Sequence, residues 1–309
     1  MNRPSDYQPF RAIMWMTFSG LLFVGVTALV KYLGTGVPAA EAAFLRYALG
    51  LVLLLPMIPE FRRSCQRGAI TRPLMWVFVG RGAAHSIGVT LWFFAMARIP
   101  IADVTAMSYL TPVCVMFGAA VFLREKLALD RMVAVIVALV GVVIILRPGF
   151  REVDAGHLTM LANAFFFSCS YLLAKRASDQ VSASVVVVML SLVTTLGLAP
   201  MAWSVWVPPS PFDISILFVV AGLATLGHYA MTRALALAPV NVTQPVNFLQ
   251  LIWSVLLGAL LFAEGVDFWV IMGGTIILTS ISILSWRETA GQRRRLTPAP
   301  PSTTSESPK

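Results

Sequence analysis

Ten apolar runs, separated by short polar or proline-containing segments, fill most of the chain. A helix that spans a membrane needs about 20 mainly apolar residues, and these runs have about that length. Stretches such as Leu251–Phe262 do not alternate between polar and apolar residues, as the strands of a membrane barrel do, so the runs predict helices. The predicted helices cover residues 11–31, 37–58, 73–97, 101–123, 129–146, 156–177, 183–204, 213–237, 242–263 and 268–287.

The amino-acid composition excludes an ordinary soluble domain. The 309 residues are 58% hydrophobic and only 12% charged, whereas soluble domains carry about 25% charged residues. The first apolar run is too long for a signal peptide and has no small-residue cleavage site after it, so we interpret it as the first span. The three cysteines are scattered, and the sequence predicts no disulfide, no metal site and no cofactor. We therefore expect an all-α integral membrane protein in contact with the lipid bilayer.

The net charge of +9 is better explained by membrane topology than by a nucleic acid partner, which we do not expect. If the N-terminus is cytoplasmic, the segments on that side hold sixteen Lys and Arg residues. The segments on the opposite side hold four, which are Lys31, Arg98, Arg147 and Arg151. Basic residues concentrate in the cytoplasmic segments of membrane proteins, so this asymmetry predicts that both termini are cytoplasmic.

One pattern of residues occurs twice in the chain, 139 residues apart and without a gap. Each copy covers two apolar runs joined by a proline-containing corner. Small residues at fixed spacing also serve close helix packing in lipid, so the pattern indicates architecture rather than a ligand. The first copy contains Gly88, Ala95, Ala97, Pro100, Leu110, Ala120 and Glu125, and the second contains Gly227, Ala234, Ala236, Pro239, Leu249, Ala259 and Glu264.

The ten predicted spans divide into two halves of five, and an odd number makes the halves enter the membrane from opposite sides. Inverted repeats of this kind occur in many secondary transporters, whose substrate sites lie near the midplane between the repeats. The last segment is rich in Pro, Ser and Thr, a composition typical of disorder. The predicted units are a cytoplasmic N-terminus (1–10), a first repeat (11–147), a linker (148–155), a second repeat (156–287) and a disordered cytoplasmic tail (288–309).

The corner and the following span of each copy resemble the segment that characterises EamA-type transporters of the drug/metabolite transporter superfamily. These segments are ARIPIADVTAMSYLTPVCVMFGAAVFLREKL and ALAPVNVTQPVNFLQLIWSVLLGALLFAEGV. Two further stretches, AAFLRYALGLVLLLP and GRGAAHSIGVTLWFFA, are similar to the subgroup that includes bacterial riboflavin and S-adenosylmethionine uptake transporters. The resemblance implies ten helices in two EamA domains, a central substrate cavity and a place in the bacterial inner membrane.

The third predicted span contains three candidate substrate-binding residues, Arg81, His85 and Trp92. With Gly88 they follow the i, i+4, i+7, i+11 spacing of one helix face. An ionisable residue at membrane depth costs free energy and often marks a functional site. The alternatives are that the Arg81 side chain extends to the cytoplasmic surface and that Trp92 anchors the helix at the membrane interface.

The ninth predicted span carries a polar stripe in which Asn247 and Gln250 are the candidates. Two carboxamides one turn apart offer donors and acceptors to a heteroaromatic ring or an amide, although polar residues also join helices to one another. The equivalent positions in the first copy are Ser108 and Thr111. The two copies therefore present corresponding polar faces with unequal hydrogen-bonding capacity, carboxamides in one and hydroxyls in the other. Such a difference would fit an asymmetric substrate.

Asn163 and Arg46 complete the candidate site. Asn163 belongs to a fainter polar stripe of the sixth span, which also contains Ser170. Arg46, in the second span, either pairs with Glu41 or stands free in the cavity.

Carboxylates are missing from the deep parts of the predicted spans. Coupling to protons would then require His85 or His228, and transport would otherwise be facilitative. Arginines without nearby acids favour a substrate that is neutral or carries an anionic group.

Together these features predict a secondary transporter of a small metabolite. The sequence has no P-loop, so ATP is not the direct energy source. The subgroup resemblance favours uptake of a vitamin or nucleoside-like molecule, with riboflavin first and S-adenosylmethionine second. Export of amino acids or drugs is the main alternative. An intramembrane enzyme is disfavoured because no HExxH or GxSxG motif occurs, and a membrane scaffold would not require an inverted repeat with polar stripes. Formation of a homodimer is left open.

Overall fold

The computed structural model describes residues 8–122, 129–150, 152–178, 180–237 and 246–296. Six of the helices in this part of the chain are long and apolar enough to cross a membrane, and four shorter helices are also apolar. The prediction of an all-helical membrane protein is therefore confirmed. The helices are α1 (Pro9–Leu33), α2 (Ala39–Gly50), α3 (Ile58–Gln66), α4 (Arg72–Met96), α5 (Ile101–Ser108), α6 (Leu110–Phe122), α7 (Leu129–Leu146), α8 (Ala155–Ser178), α9 (Ala183–Ser204), α10 (Pro211–Leu237), α11 (Asn247–Phe262) and α12 (Phe268–Leu296).

Two predicted spans are interrupted by proline. The span expected over 37–58 consists of α2, a 3-10 segment (Leu51–Met57) that contains Pro56, and then α3. The span expected over 101–123 is divided at Tyr109 between α5 and α6, and Pro112 lies in the first turn of α6. A proline has no N–H to donate to the carbonyl one turn earlier, which explains both interruptions.

The last helix is longer than its sequence pattern indicates. α12 continues to Leu296, so residues 288–296, which were predicted to belong to the disordered tail, are helical. This stretch is rich in Arg, Gln, Glu and Ala, which favour helices, and Pro298 is the first proline after it. The rest of the tail, like Glu125 and Pro239 of the repeated pattern, lies outside the described residues.

Three antiparallel helix pairs make the most extensive contacts between helices in the described part of the chain: α4 packs along α8, α1 along α10, and α7 along α12. Glycines allow the close approach in the first two pairs. Gly88 of α4 faces the ring of Phe167 on α8, and Gly227 of α10 faces the ring of Phe23 on α1. Small residues bring membrane helices into van der Waals contact, which replaces the hydrophobic driving force that lipid cannot supply.

Hydrogen bonds reinforce the same two helix pairs. The side-chain amide of Asn163 on α8 donates to the carbonyl of Gly88 over 2.7 Å. The hydroxyl of Ser19 on α1 donates to the carbonyl of Gly227 over 2.9 Å. α4 also contacts α9, and α10 also contacts α2, so helices from the two halves of the chain alternate in the bundle.

Ionic contacts join several elements at the corner between α4 and α5, which we call the Pro100 end of the bundle. Lys31 at the end of α1 lies 2.6 Å from Glu264, in the loop between α11 and α12, and its ammonium group donates to the carbonyl of Ile99 over 2.7 Å. Glu264 also accepts a hydrogen bond from the N–H of Ile101 over 3.0 Å. These contacts tie α1, the corner and the α11–α12 loop together.

Candidate substrate site

Cationic, aromatic and hydroxyl side chains meet between α2, α4 and α8. The hydroxyl of Tyr47 and Nε2 of His85 are 2.5 Å apart, and Nδ1 of His85 is 3.3 Å from the hydroxyl of Ser170. All three side chains are buried. The His85 ring also stacks on the ring of Phe167, with centroids 4.9 Å apart. We call Arg46, Tyr47, Arg81, His85 and Ser170 the central cluster.

The helix packing described above determines how the cluster assembles. A Cβ atom at Gly88 would lie only 2.6 Å from Phe167 Cδ1, so the ring of Phe167 fits against α4 because residue 88 is glycine. Ser170 lies one turn further along α8 from Phe167, on the same side of the helix. It therefore faces His85, which lies one turn before Gly88 on α4.

Arg81 is held inside the protein rather than at its surface. Its side chain is 7% exposed, and its guanidinium donates to the carbonyl of Val186 on α9 over 3.1 Å. The Nε atom of Arg81 has no hydrogen-bond partner among the described residues. Arg81 therefore does not extend to the cytoplasmic surface, as the alternative interpretation of the sequence would require.

Arg46 is half-buried and lies over an aromatic ring. Its guanidinium carbon is 4.3 Å from the centroid of the Tyr47 ring, a cation–π geometry. The expected alternative partner, Glu41, instead accepts a hydrogen bond from the N–H of Val207 over 2.9 Å. In the described part of the chain Arg46 therefore does not pair with Glu41, and it lies beside the contact between Tyr47 and His85.

Two further aromatic side chains of α8 and α10 lie near these elements. Tyr171 directly follows Ser170 on α8, is 45% exposed, and has its ring centroid 6.2 Å from that of Phe167. His228 of α10 is exposed, and its ring packs edge-on against Phe23 of α1 with centroids 5.0 Å apart.

Other predicted site residues have local partners in the structure. Trp92 packs edge-on against Phe93, with centroids 5.4 Å apart, and is partly buried. Asn163 uses its amide to join α8 to α4 at Gly88. The hydroxyl of Ser108 donates to the carbonyl of Val104 in its own helix over 2.7 Å.

The remaining candidates lie near α6 and α11. Thr111 is buried. Gln250 lies beside α1, where a Cβ atom at Gly20 would be 3.7 Å from Gln250 Cβ. Asn247 is the first residue of α11, and its side chain is outside the described part of the structure. The structure thus brings Arg46, Arg81 and His85 together, and substrate contact stays a prediction for all nine candidates.

Sequence reasoning missed several members of the site. Tyr47 directly follows Arg46, and Ser170 belongs to the polar stripe of the sixth span, so both carried a usable signal. Phe167 and Tyr171 resemble any other aromatic residues of an apolar helix. Only the packing of α8 against α4 distinguishes them.

A buried acid–base pair was also missed. Nε2 of His157 lies 2.9 Å from Oδ2 of Asp103, and both side chains are almost fully buried. Nδ1 of His157 accepts a hydrogen bond from the N–H of Asp154 over 3.1 Å, so Nε2 carries the proton that is donated to Asp103. The pair joins α5 to α8 near the Pro100 corner. Asp103 is close to the end of its helix, so position along the span gave no sign that neighbouring helices enclose it.

Helices from both halves of the chain thus surround a polar cluster within an apolar bundle, an arrangement typical of membrane transporters. The model of the EamA-like transporter family matches residues 10–147 and 154–286. The chain belongs to this family, and the predicted place in the bacterial inner membrane is confirmed.

Characterised relatives cover nearly the whole chain. It is 29% identical over 294 residues to a riboflavin transporter of Vibrio cholerae, covering 93% of this chain and 97% of the relative. An S-adenosylmethionine uptake transporter of Rickettsia conorii is 25% identical over 283 residues, covering 92% and 95%. A pseudopaline exporter of Pseudomonas aeruginosa is 24% identical over 275 residues, covering 88% and 95%. The relatives are therefore transporters of different small molecules.

A solved crystal structure has the same fold. Its superposition gives a TM-score of 0.54 at 17% identity and covers 94% of this chain and 97% of the other. At this identity the likeness concerns the fold alone.

Proposed function

We propose that this protein is a secondary transporter that takes up a flat, heteroaromatic metabolite, with riboflavin as the first candidate. The observation that carries the proposal is the central cluster, in which cationic, aromatic and hydroxyl side chains meet inside an apolar bundle. The stacked rings of His85 and Phe167 and the accessible ring of Tyr171 suit a planar ligand. The hydroxyls of Tyr47 and Ser170 and the guanidinium groups suit carbonyl and ring-nitrogen acceptors.

The proposal includes ten spans arranged as two inverted repeats. Corresponding contacts support this arrangement: Gly88 meets Phe167 and accepts from Asn163, while Gly227 meets Phe23 and accepts from Ser19. The family model also matches the chain twice, once in each half. An inverted repeat gives a transporter two related conformations that open to opposite sides.

The orientation follows from the charge distribution. With both termini in the cytoplasm, the Pro100 end faces the outside. The contacts of Lys31 with Glu264 and Ile99 then lie at the outer end of the bundle.

The second candidates are a different substrate, S-adenosylmethionine, and the opposite direction of transport, export. The Rickettsia relative favours S-adenosylmethionine, and the Pseudomonas relative favours export. The sulfonium and ammonium groups of S-adenosylmethionine have the same charge as Arg46 and Arg81, and like charges at short range oppose binding, whereas its carboxylate has the opposite charge. Riboflavin carries no positive charge and avoids this repulsion.

The test is growth of a bacterium that can neither make riboflavin nor import it. Expression of this chain should restore growth on low external riboflavin, and a His85→Ala variant at the same protein level should not. Tyr32→Phe is the matched control, because Tyr32 is exposed near the Pro100 end and should not affect rescue. Absence of rescue by a correctly inserted wild-type protein contradicts the riboflavin assignment. Uptake of labelled S-adenosylmethionine and efflux of riboflavin from loaded cells then distinguish the two alternatives.

A further inference from the structure

We propose that Arg46 and Arg81 form a subsite for an acidic group, a carboxylate or a phosphate, carried by a flat aromatic substrate. The proposal rests on the transport function proposed above and narrows its substrate class. It concerns the acidic group of the ligand, whereas the stacked rings of His85 and Phe167 concern its planar part.

The first argument is the unused hydrogen-bonding capacity of Arg81. A guanidinium has five N–H donors and no acceptor. In the described part of the structure, Arg81 binds the carbonyl of Val186, and its buried Nε has no partner. A buried donor without a partner is unfavourable, and a planar pair of oxygen atoms is the group that guanidinium binds best.

The second argument is the missing counter-charge. Among the described residues, the buried carboxylates of Glu41 and Asp103 accept from the N–H of Val207 and from His157, respectively, and the partly buried carboxylate of Glu264 pairs with the ammonium group of Lys31. In the described part of the structure, none of these three carboxylates pairs with Arg46 or Arg81. Two cations deep in an apolar bundle are costly without a counter-charge, and an anionic ligand would supply one.

The third argument is placement. The guanidinium of Arg46 lies over the ring of Tyr47, and the Tyr47 hydroxyl contacts His85. Arg81 lies one turn before His85 on α4, and the His85 ring stacks on Phe167. An acidic group held by the arginines would therefore lie next to the aromatic side chains that suit a planar ring.

Riboflavin and its 5′-phosphate ester form a matched pair of probes, because they share one ring system and differ in charge. We expect the full-length protein in lipid nanodiscs to bind the phosphate ester about tenfold more tightly than riboflavin, as for one added charge-assisted interaction. Quenching of flavin fluorescence measures both affinities. Arg46→Gln and Arg81→Gln should remove this preference, so that the two flavins bind with equal affinity.

Two further variants serve as controls. Arg81→Lys keeps the charge and should retain part of the preference, which separates a binding role from a folding defect. Arg233→Gln removes another arginine of the helical bundle, an exposed one on α10, and should leave the preference unchanged.

Failure of this subsite can be distinguished from failure of the proposed function. Riboflavin transport with equal affinity for the two flavins, or a preference that survives both Gln variants, overturns the subsite while the transport function stands. If neither flavin binds, the riboflavin assignment fails. Nicotinate, which is charged, and nicotinamide, which is neutral, are then compared by how far each raises the thermal unfolding temperature of the protein. Stabilisation by nicotinate alone, lost in Arg81→Gln, supports the subsite, and equal effects of the two compounds overturn it.

Discussion

His85 is the residue through which the two halves of the chain meet in the central cluster. Its ring contacts Tyr47 of the first half on one side and Ser170 and Phe167 of the second half on the other. A buried polar network of this kind is rigid only when each member keeps its partners. A substrate that alters the position of His85 would therefore affect helices of both halves at once.

Replacement of Tyr47 by Phe tests this role. The ring stays in place, but His85 Nε2 loses its partner, so we expect a loss of about 1–3 kcal/mol in the free energy of unfolding. Transport should fall by about tenfold, the factor that corresponds to one hydrogen bond of roughly 1.4 kcal/mol. Initial uptake rates and thermal unfolding in detergent measure the two effects.

The control for this change is Tyr32→Phe. Tyr32 is 63% exposed, and its ring lies near Phe212 rather than in the cluster. Both measurements should match the wild type. A Tyr47→Phe protein with wild-type uptake would show that the hydroxyl has no part in transport.

At the scale of the helices, glycine positions determine how closely α4 approaches α8 and α10 approaches α1. A Cβ atom would lie 2.6 Å from Phe167 at Gly88 and 3.3 Å from Phe23 at Gly227, whereas at Gly222 no atom lies within 4 Å. The tightest of these contacts is also the one that positions Phe167 beneath His85. Gly88 therefore determines both how α4 packs against α8 and where Phe167 lies relative to His85.

A series of Gly→Ala variants should follow these distances. Gly88→Ala forces Phe167 to move and should lower the free energy of unfolding by about 1–3 kcal/mol, the usual cost of overpacking. Gly227→Ala should cost less, because a small shift relieves the contact. Gly222→Ala, the control, should be neutral or stabilising by up to about 1 kcal/mol, the helix preference of Ala over Gly.

Unfolding of the purified variants in mixed micelles gives the order of stability. Uptake should be lost in Gly88→Ala and retained in Gly222→Ala. The opposite order of stabilities would contradict the packing described for α4 and α8.

At the scale of the whole molecule, the distribution of basic residues predicts which end of the bundle faces the cytoplasm. Cys65 is exposed on α3, and Thr35 is exposed near the Pro100 end, where the α1–α2 connection lies beside Arg98. Cys114 and Cys169 are partly buried. The two exposed positions therefore report on opposite ends of the bundle.

Labelling with a membrane-impermeant maleimide tests the orientation. In spheroplasts Cys65 should react only after the membrane is permeabilised, because the predicted topology places α3 on the cytoplasmic side. A cysteine introduced by Thr35→Cys, in a Cys65→Ser background, should react without permeabilisation. The reverse pattern would mean that the termini lie outside and that the Pro100 end faces the cytoplasm.

The helices and the family could be predicted from the sequence because their signals are local. The ranges predicted for the fifth and seventh spans, 129–146 and 183–204, agree with α7 and α9. Length and apolar content suffice for this, since a bilayer requires about 20 apolar residues and satisfies no backbone group by itself. The prolines that interrupt the second and fourth spans, Pro56 and Pro112, are present in the sequence. Because both spans are apolar along their whole length, each was nevertheless predicted as one continuous helix.

The composition of the candidate site was decided by tertiary structure. The sequence singled out Arg46, Arg81 and His85, but it left a pairing of Arg46 with Glu41 open and did not name Tyr47. Contacts between residues far apart in the chain depend on the register of helix packing, as at Gly88 and Phe167. By itself the sequence determined a helical membrane transporter with polar residues inside its spans, because the bilayer imposes length and polarity on each segment separately. Only the packed structure decided which polar residues meet, because that depends on how each helix is rotated and shifted against its neighbours.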